Sequence, residues 1–143
     1  MFGLKKKSRK DERLKDWEAL TDLLIGVGGG TQQADGSIRF EIAFKKEKRK
    51  AEVFVHCADV DGLGSVAYFT APFAYPASPE NCIQALGMVE KILEGGLVVA
   101  SDSLALRTTK PLGCMSYKDV VRVIERLSVT ADEFAKDFLG DDS

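Results

Sequence analysis

Four glycines fall within five residues in LLIGVGGGTQQADG, the stretch from Leu23 to Gly36. Clustered glycines let a backbone wrap a phosphate, so the first question is whether this chain binds a nucleotide. A dinucleotide fingerprint runs strand, glycines, helix, so that the helix N-terminus meets the pyrophosphate. Here the order predicted from the sequence is helix, glycines, strand. The glycines then sit at the helix C-terminus, whose negative partial charge repels phosphate. No Lys-Ser/Thr pair follows, which removes a P-loop. The cluster reads as a helix stop and linker.

The other reactive side chains are sparse. His56 is the single histidine. Its neighbour Cys57 falls on the opposite face of a strand, so the two form no local pair. Cys57, Cys82 and Cys114 lack any C-x-x-C spacing, and no metal site is expected. Three widely spaced thiols favour a reducing cytoplasm. Asp59-x-Asp61-Gly62 is half of a calcium loop without its later ligands, and reads as a hairpin turn. There is no G-x-S-x-G nucleophile elbow. No catalytic residue and no cofactor is assigned, and the chain is expected not to be an enzyme.

Alternation and helical spacing give the elements around these residues. Leu14, Trp17, Leu20, Thr21, Leu24 and Ile25 mark an amphipathic helix over about 11–25. Ile38, Phe40, Ile42 and Phe44 alternate with polar partners as a half-buried strand. KKEKRK, Lys45 to Lys50, makes a turn into a second strand over about 50–58, and a third over about 65–71 ends before Pro72. Ser78 caps a middle helix whose inner face is Cys82, Leu86, Val89 and Leu93, and Gly95-Gly96 ends it. LVVA and LALRTT form a hairpin over Ser101, Asp102 and Ser103. Ser116, with Asp119 three residues on, caps a last helix, and Thr130 with Glu133 marks a kink or a new start.

The order α-β-β-β-α-β-β-α predicts an α+β domain, an antiparallel sheet with helices on one side. It occupies residues 11–140, between a basic tail, 1–10, and an acidic end, 141–143. Net charge is -2 although the tail holds Lys5, Lys6, Lys7, Arg9 and Lys10, so the body is acidic. That argues against nucleic acid as the ligand. No apolar run is long enough for a membrane span.

Taken together, "ADGSIRFEIAF", "SPENCIQALGMVEKILEGG" and "LVVASDSLALRTTKPLGCMSYKDVVRVIERLSVTADEFAKDFL" give a pattern over about 12–139 that resembles the fold of bacterial type III secretion chaperones and the YbjN-like regulators. The resemblance implies no catalysis. It implies a homodimer built on the middle helix and the adjacent strand, and apolar surface that holds an extended segment of another protein. Residue by residue, the dimer surface is assigned to Ile83, Met88, Ile92, Leu97 and Val99. The proline-bounded aromatics Phe73 and Tyr75 of APFAYP, expected on a loop, have two readings: they lid the core, or they form the partner contact, to which they are assigned here and where truncation leaves stability nearly unchanged. The alternative is a small-molecule or nucleotide-binding regulatory domain using the cleft near the glycines.

Overall fold

The computed structural model describes residues 13, 14, 16–26, 28–44 and 49–139. The tail 1–10, the first two residues of the domain, most of the KKEKRK turn and the end 141–143 lie outside the described residues. The elements run α1 (Trp17–Gly26), β1 (Thr31–Gln32), β2 (Ile38–Phe44), β3 (Arg49–Val60), β4 (Gly64–Ala74), α2 (Pro79–Leu86), β5 (Gly96–Ala100), β6 (Ser103–Pro111) and α3 (Tyr117–Leu139). The six strands form one antiparallel sheet in the order β1-β2-β3-β4-β6-β5. The domain is α+β, as its alternation predicts.

Register decides which residues make the core. Ile38 lies opposite Val55, Val55 opposite Phe69, and Ala71 opposite Leu106, so these side chains share one sheet face. All are buried there against Leu20 and Leu24 of α1, Ala85 of α2, and Val120, Ile124, Leu127, Ala131 and Phe134 of α3. The spacing of the α3 set is that of a helix laid along a sheet. Each fully buried large side chain contributes roughly 1.5–3 kcal/mol, which makes α3 the main lid of the core. The helix runs as one element through Thr130, so no new helix starts there; Thr130 and Ala131 are both buried in its packing on the sheet.

Local signals set the ends. Ser78 Oγ accepts from the Asn81 amide, and Pro79 occupies the first turn of α2. At α3 the cap is reciprocal: Asp119 N–H donates to Ser116 Oγ at 3.3 Å, and Ser116 N–H donates to Asp119 Oδ2 at 2.9 Å. Ser101 and Asp102 both take left-handed φ, 49° and 66°, as a tight β5–β6 hairpin needs.

The α3 cap carries a pH dependence. Hydrogen bonding from the Ser116 backbone holds the Asp119 carboxyl below its ordinary value of 3.8, with help from the Ser116 hydroxyl and from the charges of Arg13 and Arg122. A lowered folded-state value means stability that is present above the unfolded pKa and lost as the pH falls through the folded one. Ser116→Ala is expected to cost about 1 kcal/mol at neutral pH. Alanine keeps the backbone N–H that does most of the lowering, so the acid limb of the stability profile below pH 3.8 is expected to persist and to lose only the hydroxyl's smaller share. Urea titrations of both proteins between neutral and acid pH measure both effects.

Candidate functional site

The β4 strand continues past Pro72 to Ala74, three residues beyond its predicted end, with a bulge between Pro72 and Ala74. Phe69, Ala71 and Phe73 keep one alternation through it. Phe73 turns into the core, 8 % exposed, with its ring edge-on to Phe134 at 5.0 Å and tilted against Phe138 at 5.7 Å. Tyr75 is 75 % exposed. Both border a groove of about 390 Å³ whose other walls are Lys50 and Ala51 of β3 and Ala131 and Ala135 of α3. The small residues of α3 leave this space open, and Phe73 forms its floor. Phe73 on a strand and in the core departs from the expected loop position. Pro72 hides it by reading as a strand end, although the alternation of Phe69 and Ala71 continues to Phe73.

The middle helix departs further. Gly87 ends α2 after eight residues, and a short 3-10 turn, Val89–Lys91, replaces the expected last turns. This changes the phase of everything downstream. Leu86, Val89 and Leu93, expected inward, are exposed, as are Ile83 and Val99. Met88 is 8 % exposed and belongs to the core, and Ile92, Leu97 and Cys82 pack against it. Of the five residues assigned to a dimer surface, Ile83 and Val99 present most of their area to solvent, whereas Met88, Ile92 and Leu97 are covered to differing degrees. Val99 lies on β5, which pairs with β6 on one side and has no strand partner on the other among the described residues.

Gly28 and Gly30 of the cluster form a packing joint. A Cβ on Gly28 would stand 2.9 Å from the Leu24 carbonyl oxygen and 3.1 Å from Phe40 Cε1. One on Gly30 would stand 2.5 Å from Ile38 Cγ2. The close approach that glycine permits is spent on seating the chain after α1 against β2.

His56 and Cys57 point to opposite faces, as alternation requires. His56 stacks on Tyr68 at 4.9 Å, on the sheet face away from the main core, with Arg107 over the other ring. Burial first, then the Arg107 charge, lowers its pKa from 6.5, and burial raises that of Cys57. Among the described residues, no three His, Cys, Asp or Glu side chains are grouped to hold a metal ion. No described helix is long and apolar enough to cross a membrane. No protein-family model matches the chain, and no curated protein matches its sequence.

Proposed function

We propose that this chain is a non-enzymatic protein-binding module, chaperone-like or regulatory, that acts as a homodimer and holds an extended segment of another protein. One observation carries the reading. From Ile83 to Val99, five large apolar side chains stand in solvent, the last of them on β5, whose outer edge has no partner strand among the described residues. Exposed apolar surface of this kind marks interaction sites, and a free edge supplies backbone donors and acceptors to an incoming strand. The three free thiols suit a cytoplasmic setting. The groove at Tyr75 is the place for the partner segment, and the α2–β5 surface is the place for the second copy.

The dimer is tested at Leu86. Its side chain is 62 % exposed, so Leu86→Glu is expected to leave the melting temperature within a degree or two of the parent. Sedimentation equilibrium is expected to give a dimer for the parent at tens of micromolar and a monomer for the variant. A standard interface buries about 1,200–2,000 Å² in total, enough to be disrupted by one buried carboxylate. A monomeric parent ends the dimer proposal. Met88 does not serve this test, because a carboxylate there enters the core. For the partner segment, a photo-crosslinker at position 75 in cells is expected to trap one recurring stretch of one polypeptide; a diffuse crosslinking pattern rejects the groove.

A further inference from the structure

A second pocket, of about 390 Å³, lies between the first turns of α3, the end of β6 and the turn before β5. Met115 and Val123 are its buried, apolar lining, and Lys110, Arg122, Arg126, Glu94 and Asp119 supply the charge. Both carboxylates are already engaged. Glu94, with 11 % of its side chain exposed, faces Lys110 Nζ at 3.5 Å and Arg126 Nη1 at 3.7 Å, and accepts from Thr108 Oγ1 at 3.0 Å. Asp119 accepts from the Ser116 amide and hydroxyl, and Arg13 stands 3.6 Å away. Arg122 is exposed and is the least committed of the cations: no hydrogen bond or close ion pair is formed by it among the described residues, and its charge acts on Asp119 only at longer range.

Arg122 and Arg126 are one turn apart on α3. Like charges at that spacing repel and destabilise an isolated helix. An anion seated between them and Lys110 removes the repulsion and gains charge-assisted hydrogen bonds. We propose that this pocket binds a small ligand through a phosphate group. Two guanidinium forks match the phosphate oxygens, and Lys110, on the opposite wall, adds a point charge. The volume lies near the lower end of small-molecule pockets, which suits a phosphate monoester with a short apolar body lying against Met115 and Val123. This inference is independent of the protein-binding reading and uses a different surface.

The test is an amide NMR titration of the full chain with inorganic phosphate and with glycerol phosphate, at fixed ionic strength. Saturable shifts are expected at Arg122, Val123 and Arg126, and tighter binding of the ester than of inorganic phosphate. Arg122→Gln is expected to weaken binding roughly 10-fold or more. Its melting temperature should change little, because the side chain is exposed and its charge reaches Asp119 only at longer range. Lys110→Gln is expected to weaken binding as well, with the Glu94–Arg126 pair still in place. Absence of saturable shifts through the millimolar range overturns the proposal. So does binding that is equally strong in Arg122→Gln, or shifts that chloride alone reproduces.

Discussion

Gly95→Ala is expected to be among the most damaging single-methyl substitutions in this protein. Gly95 has a φ of +76°, and a Cβ there would lie 2.2 Å from the carbonyl oxygen and 2.7 Å from the carbonyl carbon of Arg107. Both obstacles are backbone, so no rotamer change relieves the clash. The left-handed conformation alone costs a residue with a Cβ about 1–2 kcal/mol, and overpacking adds about 1–3 kcal/mol. The sum, roughly 2–5 kcal/mol, is a large part of an ordinary domain's stability of about 5–15 kcal/mol. Thermal unfolding is expected to move down by on the order of 10 °C. Gly29→Ala is the internal control. Its φ is also +76°, but nothing lies within 4 Å of the added methyl. It should show the conformational cost alone, about 1–2 kcal/mol. Equal effects at the two sites would mean that the contact with Arg107 contributes nothing.

Phe73→Ala is expected to cost about 3–5 kcal/mol, the range for deleting a buried aromatic ring. Part of that is the edge-on contact with Phe134, since such pairs contribute about 0.5–1.5 kcal/mol beyond burial. Tyr75→Ala, two residues on, should stay within about 0.5 kcal/mol, because its ring stands in solvent. Urea unfolding of the two variants measures both, and Phe73→Leu, which keeps most of the volume, should fall between them. If Phe73→Ala proves as mild as Tyr75→Ala, the ring is not part of the core. A consequence follows for partner capture: loss of binding in Phe73→Ala has no clean meaning, whereas loss in Tyr75→Ala reports on the groove surface.

The features legible in the sequence are those whose cause lies within a few residues. Ser78 and Ser116 announce their helices because a cap is a local hydrogen bond. Ile38, Phe40 and Ile42 announce β2 because alternation is local. The α+β class follows from these, and so does the placement of helices on one sheet face. What is hidden depends on distant partners. The break at Gly87 is one such case: the run from Cys82 to Leu93 has helical spacing, yet Met88 rather than Val89 enters the core, after a change of phase. Strand β1 is another, since Thr31 and Gln32 have no apolar pattern and become a strand only by pairing with Arg39 and Ile38. The glycines at 28 and 30 show their purpose only beside Phe40 and Ile38. The phosphate pocket draws Glu94, Lys110 and Arg122 from three separate elements, and no spacing in the chain connects them.

The order β4-β6-β5 also bears on how the chain assembles itself. Strands β2, β3 and β4 follow one another directly, so each can zip onto its predecessor through a short connection. The other edge of β4 is matched by β6, and Ala74 meets Leu104 only after α2, β5 and the hairpin turn have all been traversed. Closing that excursion costs chain entropy before any ladder bond repays it. The N-terminal meander can therefore form first as a template with one unpaired edge. The β5–β6 hairpin, itself local, then docks on it as a preassembled piece, its turn held by the Ala77 amide donating to the Asp102 carbonyl at 2.8 Å. Strand β4 is in this sense a seam between two folding units, joined late along a line that the finished sheet does not reveal.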